Sequence, residues 1–221
     1  MVRVPKGSFL YGDQNIPVVI DHDYWIDQYP VTNQKYGEFV LSGGYEHQQC
    51  WSTEGWQWKM KVNITAPDPT SWDDTKWNKP NQPIVGVSYH EAEAYAKWIG
   101  KRLPSEQEWE KAARGEGGRQ YPWGEEFDLN KSNSKETGIG HTTPVSQYPN
   151  GVSPYGCHDM AGNVWEWCAS RHDKQKTDSR VIRGGSWGSK LENLRAPKRD
   201  WNFTDVRGDS LGFRLVQDID E

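Results

Sequence analysis

Apolar positions along this chain fall into short groups with two different periods. Residues 2–12, VRVPKGSFLYG, alternate weakly and predict a strand with a turn at Lys6–Gly7. Residues 18–31 predict a second strand with Tyr24 and Ile26 on its buried face. The period then lengthens. Thr32 can cap a helix over 33–41 that gathers Tyr36, Phe39 and Val40 on one face and stops at Gly43–Gly44. The most specific local signals are two capping boxes. Ser88-Tyr-His-Glu91 opens a helix to about Ile99, with Ala92, Tyr95, Ala96 and Ile99 on one face and Gly100 just past its end. Ser105-Glu-Gln-Glu108 opens another, which turns Trp109, Ala112 and Ala113 inward and stops at Gly115.

Between these elements the pattern has no period. Residues 45–82 hold Trp51, Trp56, Trp58, Trp72 and Trp77 among prolines and predict an irregular insertion, after which Pro83 precedes the short apolar run Ile84–Val87. Residues 121–128 form a turn-rich link. Residues 130–150 read as loop with a short strand at TTPV, and a charged loop, RHDKQKTDS, follows Gly156–Ser170. The stretch from Arg183 to Val216 is different. Its ends, VIRGGSW and LGFRLV, are β-rich. Between them run roughly two dozen residues with neither period, and a long structureless loop in a compact domain is usually functional. The rest of the chain is therefore expected to be a scaffold for 183–216. With no repeat, linker or low-complexity tract, a single domain over 1–221 is expected.

Composition narrows the function. A net charge of −5 on 221 residues argues against nucleic acid and anionic membrane as partners. No apolar run has the length of a membrane span, and the N-terminal stretch lacks the apolar region of a signal peptide, so the location stays unassigned. Thirteen tryptophans against a mean hydropathy of −0.96 imply a core built from indoles. Three cysteines, Cys50, Cys157 and Cys168, cannot all pair and favour free thiols, with a Cys157–Cys168 bridge as the alternative. The six histidines are scattered and none shows metal-ligand spacing; no G-x-S-x-G supports a serine hydrolase.

The motifs PVTNQKYGEFV, RLPSEQEWEKAAR, YPWGEEFD, DMAGNVWEW, RGGSW and LGFRLV, in that order, resemble the formylglycine-generating-enzyme (sulfatase-modifying factor) family. The resemblance implies an α+β, loop-rich, C-type-lectin-like fold with two main helices packed on short antiparallel strands. It also implies where catalysis would sit. The formylglycine-generating enzymes carry a copper-binding cysteine pair after GGS, and soft thiolates select Cu(I). Here no cysteine follows Ser186. The iron-dependent sulfoxide synthases of the family use a histidine cluster on an additional helical domain, and no such cluster is present. The expectation is therefore no enzyme, and neither copper nor iron.

Calcium is the cofactor the resemblance leaves. Family members bind it at the turn matching Asp159–Glu166, where Asp159, Glu166 and the carbonyls of Gly162 and Val164 could supply oxygens. A weaker second site would involve Asn133, Ser134 and Ile139, with Thr137 where an acid might be expected.

One branch of the family, the variable proteins of diversity-generating retroelements, rewrites the segment between RGGSW and LGFRLV. On that resemblance, Arg183, Arg195, Arg199, Arg207 and Arg214 are framework, able to hydrogen-bond loop carbonyls. Gly188, Ser189, Lys198, Asp200, Trp201, Asn202, Phe203, Val206, Gly208, Asp209 and Ser210 are the candidate ligand-binding positions. Lys190, Glu192, Lys198 and Trp201 lie outside what adenine changes in an Asn codon reach. Trp201 and Phe203 would be apolar anchors among adaptable polar neighbours. Arg207-Gly208-Asp209-Ser210 also spells the tetrapeptide integrins recognise. The expectation is a non-catalytic protein whose diversifiable surface, 188–210, binds a protein or glycan on a cell or phage surface. The alternative is a family member of other role, including a copper or iron oxidase.

Overall fold

The computed structural model describes residues 1–173, 175 and 178–219; Lys174, Lys176 and Thr177 of the expected charged loop lie outside the described residues. The elements, in order, are β1 (Val2–Val4), β2 (Gly7–Tyr11), β3 (Ile16–Ile20), β4 (Tyr24–Ile26), α1 (Asn33–Leu41), α2 (Thr53–Val62), α3 (Pro69–Trp72), α4 (Tyr89–Trp98), α5 (Glu106–Arg114), β5 (Trp165–Arg171), β6 (Ser179–Arg183), β7 (Arg199–Phe203), β8 (Leu211–Gly212) and β9 (Val216–Asp218). The α+β class holds. Lys6 separates β1 from β2, and the expected second strand is two, β3 and β4. β2 and β3 form a hairpin, while β1, β4 and β9 form an antiparallel sheet that joins the two ends of the chain.

The sheet that matters for function has the order β7-β6-β5-β8, with β5 and β8 parallel and the other pairs antiparallel. Its middle strands are covered on both sides. Trp167 and Ile182 join the aromatic cluster of α1 and α4, with Tyr36, Phe39 and Tyr95; Cys168 and Val181 join Trp109, Ala112 and Ala113 of α5. This explains why VIR in β6 shows no polar alternation. Among the described residues β7 pairs with β6 alone, at the edge of the sheet.

Both capping boxes form, with Ser88 and Ser105 accepting the amides of Glu91 and Glu108. Four expectations are corrected. The insertion 45–82 contains a real helix: Ser52 accepts the Gly55 amide at 3.2 Å, and Asn63 closes α2 in the left-handed region at φ 55°. The stretch TTPV is not a strand, because the Asn163 side chain takes both the amide and the carbonyl of Thr143. Ile99 caps α4 and is exposed rather than core. The segment 183–216 is not without strands: it holds β7 and β8. All three cysteines are buried free thiols.

Candidate ligand-binding surface

Five arginines pace the C-terminal segment. Arg183 is fully buried, donates to Glu110 Oε2 at 2.6 Å from one terminal nitrogen, and spends the other terminal nitrogen on the carbonyls of Pro197 and Lys198, each at 3.0 Å. Arg199 forks onto Glu106 at 2.6 and 3.2 Å. Arg207 holds both oxygens of Glu91 and donates to the Ala66 carbonyl at 2.6 Å. Arg214 is buried, forks onto Glu166 at 2.7 Å for each oxygen, and reaches the His158 carbonyl at 2.7 Å. Arg195 pairs with Asp13 near the surface. Guanidinium geometry suits such two-pronged contacts, and a buried carboxylate is tolerable only when so paired. The same glutamates shape the scaffold: Glu91 accepts the Ser88 amide at 2.9 Å, and Glu166 accepts the Trp109 indole at 2.7 Å. The segment is therefore stapled at intervals to α4, α5 and β5, and parts of the chain between staples face outward.

One such excursion runs along β7. Trp201 and Phe203 are 39% and 46% exposed and lie on one face of the strand, ring centroids 5.3 Å apart in an edge-to-face pair. Trp201 also stacks on His172 at 4.8 Å. Two outward amides of the edge are not open. The Trp201 amide donates to Asp200 Oδ1 and the Phe203 amide to Asn202 Oδ1, both at 2.9 Å. Asp200 and Asn202 thereby protect a strand edge that would otherwise template pairing with another chain. Lys198, half-buried, is fixed through its carbonyl by Arg183.

The remaining candidates divide. Gly188 and Asp209 are exposed beside Trp187, whose indole donates to the Asp209 carbonyl at 3.2 Å and whose ring meets Trp77 at 5.4 Å. Ser189 is buried and accepts the Ser186 amide at 3.0 Å. Val206 packs partly against the α1–α4 cluster. The carbonyls of Gly208 and Ser210 take the amides of Gly86 and Trp165, so their backbones belong to the framework. In the RGDS stretch, Arg207 is bound to Glu91 and is not presented.

The calcium candidates also divide. Gly162 (φ +87°) lies so close to Asn133 that a Cβ would sit 2.2 Å from the Asn133 carbonyl oxygen, and that carbonyl accepts the Asn163 amide at 2.8 Å. The Val164 amide takes the Gly162 carbonyl at 2.9 Å. Asp159 is buried; burial pushes its carboxyl up to about 7 against the pull of Asn163 and Arg214. It is short of positive charge. Glu166 is not, because Arg214 occupies both its oxygens. In the weaker site, Asn133 and Ser134 are buried and Ile139 half-buried, and the Thr137 hydroxyl contacts Asn133 Oδ1 at 3.3 Å and the Ser134 carbonyl at 2.7 Å. That hydroxyl supplies a donor where a cation would accept the same oxygens.

Burial raises the Cys157 thiol to about 11 and lifts the Cys168 thiol well above its ordinary value, which disfavours thiolate ligands at these two positions. His22, Glu108 and Asp218 approach one another closely enough to hold an ion. The Arg102 guanidinium already bridges the two carboxylates, at 2.6 Å to each, so a positive charge occupies that place.

The sequence missed Trp58 and His90, which α2 and α4 bring against Phe203 in one cleft. Ser52 before α2 and Asn63 after it were the available signals.

Known proteins bear on this geometry. The model of the sulfatase-modifying factor enzyme 1-like domain matches residues 1–219. A hercynine oxygenase of Mycolicibacterium thermoresistibile is 34% identical over 226 residues, covering 88% of this chain and 51% of that protein. The chain thus spans about half the length of that oxygenase. The inactive C-alpha-formylglycine-generating enzyme 2 of Bos taurus is 34% identical over 265 residues, covering 98% of this chain and 87% of that protein. Among solved structures, Treponema denticola variable protein 1 superposes with a TM-score of 0.73 at 19% identity, over 98% of this chain and 94% of that one, a likeness of fold. Two expectations are overturned by the oxygenase. A family relative that is an enzyme by name removes the ground for excluding catalysis on the missing cysteine pair. Dioxygen chemistry calls for a redox metal or organic cofactor, so the expectation of neither copper nor iron falls with it.

Proposed function

The chain belongs to the sulfatase-modifying factor enzyme 1-like family, and from that premise we propose that its C-terminal segment is a ligand-binding surface. The observation that carries this reading is the Trp201–Phe203 pair, exposed on a protected sheet edge and held between the Arg199 and Arg207 staples. Large aromatics with few rotatable bonds lose little entropy on binding and make strong anchors. A protein or glycan on a cell or phage surface fits this surface. Probing glycan and peptide arrays with the wild type and with Trp201→Ala/Phe203→Ala tests it. Binders kept by the wild type and lost by the variant support the reading; equal binding by both sinks it.

The fold likeness to a variable protein supports a surface that is rewritten at 188–210. A near-copy of the 3′ coding end in flanking DNA, differing only at adenines and accompanied by a reverse transcriptase gene, is the expected finding; its absence removes that part. Calcium at Asp159 belongs to the same reading. Its test is a thermal melt with calcium and with EGTA, the calcium sample melting higher.

A second reading rests on the identity to the oxygenase over 88% of the chain: a domain that takes part in oxygen chemistry. Oxygen uptake by the iron-supplied protein with hercynine, above a protein-free control, would support it. A blank would remove it.

A further inference from the structure

A cleft of about 790 Å³ opens beside the start of α1, and none of its lining residues belongs to 183–216. Asn33 and Gln34 of α1 line it, with Trp72 and Asp73 where α3 ends and Asn78 and Asn81 of the loop that follows. Asn33 is 6% exposed, and its Nδ2 donates to the carbonyls of Trp77 at 2.8 Å, Lys79 at 3.0 Å and Gln82 at 3.2 Å. Three carbonyls on one side settle which end of the amide is nitrogen. The other end, Oδ1, accepts from no donor among the described residues, and it is not enclosed. A buried side chain thus holds an acceptor in a fixed place and leaves it open to the cleft.

Its neighbours repeat the pattern. Asn78 Nδ2 donates to the Trp72 carbonyl at 2.9 Å, and Asn78 Oδ1 has no donor among the described residues. Asp73 is exposed, and its carboxylate has neither a salt bridge nor a hydrogen bond among them. The first amides of α1 are already used: Asn33 and Gln34 donate to the Gln82 and Pro80 carbonyls at 3.0 and 3.1 Å. The helix end therefore offers these donors to no anion. Trp72 is half-buried, packs edge-to-face on Tyr36 with ring centroids 6.3 Å apart, and has no acceptor for its indole N–H among the described residues. Gln34 and Asn81, both exposed, add amides that donate as well as accept.

We propose that this cleft binds a sugar ring through its hydroxyls. Asn33 Oδ1, Asn78 Oδ1 and the Asp73 carboxylate take hydroxyl protons, and the amides of Gln34 and Asn81 donate back to hydroxyl oxygens. Only a group that donates and accepts serves both sets; an ammonium donates only, and an anion meets the Asp73 charge. Trp72 supplies an aromatic surface for the apolar C–H side of the ring. Trp72 and Asp73 also line a neighbouring cleft of about 480 Å³ with Asn63, Thr65 and Arg207, so a chain of sugars can continue past the indole. The proposal is independent of the C-terminal binding surface. A free sugar or a glycan chain can carry the same hydroxyls.

The probes are the methyl glycosides of mannose, glucose and galactose and the matching trisaccharides. The controls are tetrahydropyran-2-methanol, a ring without the vicinal hydroxyls, and methylammonium. Binding is followed by calorimetry and by the Trp72 indole resonance. At least one glycoside is expected to shift Trp72 with a Kd of about 10 mM or tighter, and Asp73→Ala to weaken it about tenfold. Asp73 is exposed, so its variant folds where Trp72→Ala, which unpacks Tyr36, need not. A trisaccharide tighter than its glycoside assigns the source to a glycan chain; equal affinity assigns it to a single ring. No shift of Trp72 by any glycoside at about 50 mM overturns the proposal. So does equal binding of tetrahydropyran-2-methanol, tighter binding of methylammonium, or an unchanged Asp73→Ala. The control-ring comparison needs no variant. Trp201→Ala/Phe203→Ala is expected to leave glycoside binding at Trp72 unchanged, so the two readings fail separately.

Discussion

Arg207 and Trp201 stand in the same C-terminal segment and do opposite things. The Arg207 guanidinium is turned inward onto Glu91 and the Ala66 carbonyl, while Trp201 is turned outward and packs against the rings of His172 and Phe203. The contrast repeats along the segment. Arg183, Arg199 and Arg214 face buried or half-buried glutamates; Gly188, Phe203 and Asp209 face solvent. The segment is thus held by buried charge pairs as well as by the β6–β7 ladder and single backbone hydrogen bonds. That separates what holds it from what it presents, which is the condition for changing a binding surface without unfolding the protein.

The comparison breaks most severely at the staples. Glu166→Gln leaves the buried Arg214 charge without its counter-ion, and the expected loss is about 3–5 kcal/mol of unfolding free energy in a denaturant titration. Arg207→Met strands Glu91 in the same way; because Arg207 is less buried, about 2–3 kcal/mol is expected. A shift of a few tenths for either would mean that the staples are ornamental.

The scaffold side carries its own pH signature. Burial opposes ionisation of Glu108, yet the Arg102 hydrogen bonds and charge prevail and hold its carboxyl down at about 2, against an ordinary value of 4.5. A depressed folded pKa stabilises above the ordinary value and is lost as pH falls through the folded one. Stability should therefore decline between about pH 5 and pH 2 by up to about 3 kcal/mol, and Glu108→Gln should flatten that limb. An equally steep limb in the variant would place the acid sensitivity elsewhere.

The presented side should respond weakly in stability. Asp200→Ala/Asn202→Ala is expected to cost about 1 kcal/mol or less while uncapping the β7 edge. Self-association, absent in the wild type and present in the variant by light scattering, is the expected result; a strictly monomeric variant would show that the caps are dispensable.

Much of the scaffold was legible because its signals are local. A capping box needs only four residues, and both helices that provide Glu91, Glu106, Glu108 and Glu110 were placed by one. The surface was less so. β7 hid although Asp-Trp-Asn-Phe alternates polar with aromatic residues, because Asp and Asn are poor strand formers and the alternation is only four residues long. Its polar positions serve the edge amides, a role that only the folded strand reveals. α2 hid behind its tryptophans, which also concealed the cleft at His90. No sequence distinguishes a tryptophan that faces out, such as Trp201, from one fully buried, such as Trp167.

The most direct test of the division between staple and surface is Trp201→Ala/Phe203→Ala, measured for both unfolding free energy and array binding. The account predicts a stability loss near 1 kcal/mol together with binding reduced at least about tenfold. A loss as large as that of Arg207→Met with binding retained would contradict it.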